Sequence, residues 1–92
     1  MNTTKRVIFS GRVQGVGFRY TTKQIALGFD IVGSVRNQKD GTVELKIMGE
    51  EDEVDEFITE IVEESELAGL IKEHRVWDID SLAECRGFSI AG

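Results

Sequence analysis

The chain has no proline, one cysteine, one histidine and no acidic residue before Asp30. Without proline, a low-complexity stretch or an internal repeat, no segment reads as a linker. A chain of 92 residues buries only about two-thirds of its unfolded surface, too little for two cores. Residues 1–92 are therefore expected to form one domain. The lone Cys85 excludes an internal disulfide. It lies between Glu84 and Arg86 with no neighbouring histidine, so it reads as a plain thiol and not a nucleophile. One histidine, one cysteine and acids spread along a helical segment supply no metal-ligand set, so neither metal nor cofactor is expected. No run approaches the roughly 18 apolar residues of a membrane helix. "MNTTKRVIFSG" lacks the apolar core of a signal peptide. A cytoplasmic protein with no membrane partner is expected.

The missing acids make a pattern. Residues 1–29 carry Lys5, Arg6, Arg12, Arg19 and Lys23, whereas all 17 acids fall in residues 30–92. The net charge of −6 thus splits into +5 and −11. An overall negative field disfavours nucleic acid as a partner. A local positive field still suits a small anion.

Periodicity places the elements. In "KRVIFSGRV", Val7, Phe9, Gly11 and Val13 share one parity, as in a strand. "FRYTTKQIALG" puts Phe18, Thr22, Ile25, Ala26 and Phe29 at helical spacing, with Gly28 as a C-cap. "DIVGSVRN" and "TVELKIMG" read as strands joined by a "QKDG" turn. In the second of these, Val43, Leu45 and Ile47 point inward and Glu44 and Lys46 outward. Val54, Phe57, Ile58, Ile61 and Val62 form one apolar helical stripe, with the acids Glu50 to Glu53 at its positive end. The remaining acidic face of that helix reads as solvated surface. "LIKEHRVWDI" is a weaker strand and "GFSI" a short last one. The order strand, helix, strand, strand, helix, strand predicts an α+β, ferredoxin-like sandwich (βαββαβ). Two helices would cover one face of a four- to five-stranded antiparallel sheet.

The glycine-rich stretch "GRVQGVGFR", residues 11–19, joins the first strand to the first helix. Helix N-termini leave backbone N–H groups unpaired and carry partial positive charge. Gly15 and Gly17 would let the backbone from Gln14 to Arg19 converge on an anion. Arg19, in the first helical turn, could fork onto two phosphate oxygens. The stretch is neither a P-loop nor a dinucleotide fingerprint, since no Lys-Ser or Lys-Thr and no third glycine follows. Spacing alone leaves open an ordinary strand-to-helix turn.

"GRVQGVGFR" followed by "GSVRNQKDGTVE" resembles the two signature stretches of the acylphosphatase family, in order and in separation. The similarity runs through the ending "GFSI". The resemblance implies hydrolysis of acyl phosphates to a carboxylate and inorganic phosphate, with neither metal nor cofactor. It places the family's phosphate-binding arginine on Arg19 and its water-orienting asparagine on Asn37. The amide cradle falls on Gln14, Gly15, Val16, Gly17, Phe18 and Arg19. Three departures are visible. Ser34 replaces a large aromatic, "ESELAGL" replaces a proline-bearing turn, and His74 replaces an aliphatic residue. His74 reads as a surface or partly buried strand residue, and Trp77 as packing. A monomer is expected. The acyl group stays open, because acetyl, carbamoyl, aspartyl and glyceroyl phosphates share the end that the cradle reads.

The fold also serves binding modules. An RNA-recognition module would display aromatics on the central strands. Here "TVELKIMG" has none, and Phe9 has core parity. A non-catalytic phosphate sensor would use the same loop but would have no need of Asn37.

Overall fold

The computed structural model describes residues 2–82 and 86–91; Cys85 lies outside the described residues. The elements are β1 (Asn2–Gly11), α1 (Phe18–Ala26), β2 (Ile31–Asn37), β3 (Val43–Glu50), α2 (Glu51–Thr59), β4 (Ile71–Asp78) and β5 (Phe88–Ile90). A π-helical turn (Glu60–Glu64) extends α2, and a short 3-10 turn (Ala68–Leu70) leads into β4. The strand order is β4-β1-β3-β2-β5. This is the α+β sandwich expected from the pattern.

The departure is the direction of the last strand. Four strands are antiparallel as expected, but β5 pairs parallel with β2. The reason is topological. β4 and β5 occupy opposite edges and run in opposite directions. β2 runs opposite to β4, so a strand that reverses after β4 and docks beside β2 must be parallel to it.

The alternating pattern sorts the sheet as read. Val7, Phe9, Val35, Val43, Leu45 and Ile47 are fully buried. They meet Val54, Phe57 and Ile61 of the second helical segment and Phe18 of α1. Phe9 and Phe18 stack obliquely with ring centroids 5.2 Å apart. The turn that lacks proline is closed by Ser65. Its hydroxyl donates to Ile61 O at 2.8 Å and accepts from Leu67 N–H at 3.0 Å. Leu67 then anchors the turn in the core. Gly33 is demanded by space, since a methyl group there would lie 2.0 Å from Lys46 O across the sheet.

Glu44 lies on the outward face as its parity requires, yet it is only 7% exposed. Arg6 Nε donates to its Oε2 at 2.6 Å, and Arg36 Nε lies 3.6 Å from its Oε1. Arg6 also sits over the Trp77 ring at 5.2 Å. Parity sets the face, but burial depends on the long side chains that close over it. His74 is exposed at the sheet edge, its ring 6.4 Å from that of Phe9.

Candidate active site

β1, β2 and β5 run the same way, so their C-terminal ends meet at one end of the sheet. Phe9 and Asn37 pair with the same residue of β3, Val43, from its two sides. The loop that leaves β1 and the turn that leaves β2 are thereby brought side by side. The N-terminus of α1 opens at the same end.

Gly15 and Gly17 adopt φ of 74° and 77°, the left-handed region that glycine enters without steric cost. Nothing lies within 4 Å of where their Cβ atoms would be, so conformation alone selects glycine there. Gly17 is the N-cap, and no side chain caps the helix. The helical ladder starts with Thr21 N–H donating to Gly17 O at 3.0 Å. The N–H groups ahead of Thr21 precede that ladder and form the positive end of the helix dipole. No acid occupies the first turn of α1.

A cleft of about 180 Å³ lies here, lined by Gly15, Gly17, Arg19 and Asn37 over a floor of Val13 and Phe18. Tyr20 and Ile90 complete its wall. Arg19 is half-buried. Asn37 Oδ1 is buried and has no hydrogen-bond partner among the described residues, a condition it shares with Thr22 Oγ1 inside α1. An unpaired buried acceptor is costly. At the wall of an open cleft it is suited to accept from an O–H group entering from solvent.

The residues expected to form the cradle divide by role. Gly15, Gly17, Phe18 and Arg19 line the cleft, whereas Val16 packs against the core. The side chain of Gln14 turns to the neighbouring turn. Its Nε2 donates to Gln38 O and to Thr42 O, each at 2.8 Å. Gln38 N–H donates to Thr42 O, and Gly41 N–H to Gln38 O. Thr42 N–H and Oγ1–H donate to Asp40 Oδ1 at 3.0 and 2.6 Å. Those bonds hold the Asp40 carboxyl below its ordinary pKa, the hydroxyl contributing most. Gln14 therefore ties the glycine loop to the turn that follows Asn37. Spacing gave no sign of this, because the amide reaches across strands. Tyr20 and Ile90 were also missed as lining residues. Adjacency to Arg19 was the one signal for Tyr20, and β5 was too short to locate Ile90.

Replacing Gln14 with leucine removes both bonds. A loss of about 1–3 kcal/mol in stability is expected, measured by urea denaturation. Turnover of an acyl phosphate should fall about tenfold, because Asn37 loses the tie between its turn and the loop. An unchanged rate in a destabilised variant would separate the turn's anchoring from the site.

Among the described residues, no group of three His, Cys, Asp or Glu side chains is placed to hold a metal ion. No helix of the described chain is long and apolar enough to cross a membrane.

A glycine loop at a helix N-terminus, an arginine and a strand-end amide on a ferredoxin-like sandwich make a cleft suited to a small anion. The acylphosphatase family model matches residues 5–90, and the chain belongs to that family of hydrolases. An acylphosphatase of Enterococcus faecalis is 38% identical over 85 residues, covering 92% of this chain and 93% of that one. An acylphosphatase of Listeria monocytogenes is 52% identical over 52 residues, and the aligned part spans only 56% of either chain. The crystal structure of acylphosphatase from Bacillus subtilis superposes with a TM-score of 0.87 at 34% identity, covering all of both chains. Full-length HypF, in its phosphate- and nucleotide-bound form, matches at a TM-score of 0.85 and 29% identity. That match takes in the whole of this chain but 12% of HypF.

Proposed function

We propose that residues 1–92 act as one cytoplasmic acylphosphatase domain, hydrolysing acyl phosphates to a carboxylate and inorganic phosphate without a metal or cofactor. The observation that carries this reading is the meeting of Gly15, Gly17, Arg19 and Asn37 around one cleft. Asn37 adds to a phosphate cradle an unpaired buried acceptor.

An acyl phosphate is already activated, because its leaving group is a carboxylate. Its hydrolysis needs positioning and charge neutralisation more than a strong nucleophile. In this reading Arg19 and the loop amides hold the equatorial phosphoryl oxygens. Asn37 Oδ1 accepts from a water and aims its oxygen at phosphorus. The water oxygen bonds to phosphorus as the bond from phosphorus to the acyl oxygen breaks. The carboxylate departs with the electron pair. Asn37 is neutral and cannot take the proton of the water, so a phosphoryl oxygen of the substrate takes it. The phosphate formed is then released.

The sensor reading shares the cradle but leaves the Asn37 acceptor without a task. The RNA reading is opposed by the buried Phe9 and by the Glu44 carboxylate on the open sheet face. Hydrolysis of benzoyl phosphate in the presence of EDTA, followed by phosphate release, tests the proposal. Metal-free turnover is expected. Phosphate binding without turnover would make the protein a binding module.

A further inference from the structure

The strand order leaves β4 and β5 at the two edges of the sheet. β5 has three residues, but β4 has eight, and among the described residues only β1 pairs with it. A long unpaired edge presents a row of N–H and C=O groups that another strand can meet. Every residue from Lys72 to Asp78 is exposed, and the large apolar ones, Val76 and Trp77, are 41% and 42% exposed. The register shows which groups face out. β1 sets Arg6 against Trp77, Ile8 against Arg75 and Ser10 against Glu73. Ile79 N–H donates to Thr4 O at 3.0 Å. Bonded and non-bonded pairs alternate along an antiparallel ladder, so Glu73, Arg75 and Trp77 turn their backbone groups to β1. His74, Val76 and Asp78 turn theirs outward. The register shifts beside Ser10 and Gly11, so the regular part of this edge runs from Glu73 to Asp78.

We propose that β4 pairs antiparallel with β4 of a second copy about a two-fold axis at Val76, giving a homodimer in place of the expected monomer. The middle of the regular edge is self-complementary in this register. Val76 meets its own counterpart, and both lose exposed apolar surface. His74 stands opposite Asp78, an imidazole against a carboxylate that Lys5 Nζ approaches at 3.7 Å. Arg75 stands opposite Trp77, the ring that Arg6 already covers at 5.2 Å. His74, Val76 and Asp78 are the positions whose backbone groups face out, so the ladder bonds form at the same time. Charged residues usually blunt an edge strand, but here His74, Arg75 and Asp78 each find a partner. Centring the axis on Arg75 would oppose two guanidinium groups, which is unfavourable. Centring it on His74 would draw the irregular end, Ile71 and Lys72, into the ladder. The residues lining the cleft include none of β4, so both clefts stay open, and the dimer stands apart from the chemistry proposed for them.

Sedimentation equilibrium of the whole chain tests the proposal, taken up to about 0.5 mM because one strand pair is a small interface and a weak one. Wild type is expected to move with concentration from the mass of one chain towards that of two. Val76→Lys places like charges opposite each other at the axis and should weaken association at least about tenfold. Val76 is exposed, so the variant should keep its fold, checked by near-ultraviolet circular dichroism. The register is read by disulfide trapping in a Cys85→Ser background, which does not depend on Val76→Lys. Opposite residues of a bonded pair lie about 5.5 Å apart at Cα, a span that a disulfide bridges. Val76→Cys should therefore cross-link. His74→Cys should not, because its counterpart lies roughly 13 Å away along the strand. A wild type that stays monomeric throughout, or a dimer that Val76→Lys leaves intact, would overturn the proposal. Cross-linking through His74→Cys in preference to Val76→Cys would overturn the register.

Discussion

Replacing Arg19 with alanine is expected to lower kcat/KM for benzoyl phosphate at least about 10³-fold, by analogy with other arginines that clamp a transferring phosphoryl group. That factor corresponds to about 4 kcal/mol of lost transition-state stabilisation. The size follows from position. Arg19 lies in the first turn of α1, half-buried beside the glycine loop, and lines the same cleft. Its planar guanidinium can grip two equatorial oxygens at once, in a site partly shielded from water. The backbone amides of the loop remain in the variant, so some affinity for phosphate should survive. Lysine should not restore the rate, because a point charge cannot reproduce the fork. Steady-state kinetics of both variants, with inhibition by inorganic phosphate measured alongside, check the assignment. Activity of Arg19→Ala within tenfold of wild type would remove Arg19 from the proposed mechanism.

The second large effect is expected at Asn37. Asn37→Ala should lower kcat by about 10²–10³-fold, the scale for removing one preorganised polar partner of a transition state. KM should move far less. The split matters because Asn37 is assigned to the water and not to the substrate. An interaction made only in the reaction reports in kcat, whereas uniform binding reports in KM. Asn37 ends β2, paired with Val43, and its Oδ1 is buried with no partner among the described residues. Removing that oxygen leaves no protein donor orphaned, so stability should hold while turnover fails. A change confined to KM would contradict the water-positioning role. Asn37→Asp is an instructive companion. It keeps the acceptor but brings a negative charge toward a phosphoryl group, and it should also be slow.

Much of this was legible in the sequence for a local reason. Alternation of apolar residues fixes which face of a strand is buried, and the stripe from Val54 to Val62 fixes the inner face of the second helix. Glycines at 15 and 17 announce a backbone that other residues avoid, and that backbone is observed. The resemblance to the two signature stretches then gave Arg19 and Asn37 their proposed parts. What was illegible depended on long-range placement. The direction of β5 followed from which edge it docked against. The burial of Glu44 followed from Arg6 and Arg36, which approach it from neighbouring strands. Gln14 belonged to the cradle by position, yet its side chain serves the next turn.

The residues alone determined the elements, the sandwich and the left-handed backbone of the glycine loop, because propensity, periodicity and positive φ are properties of short stretches. Only the tertiary structure decided that Asn37 and Arg19 line one cleft, since this required β1 and β2 to pair with opposite sides of the same residue, Val43. It also decided that Tyr20 and Ile90, far apart in the chain, share the rim of that cleft. Sheet pairing, not sequence distance, sets which strand ends become neighbours.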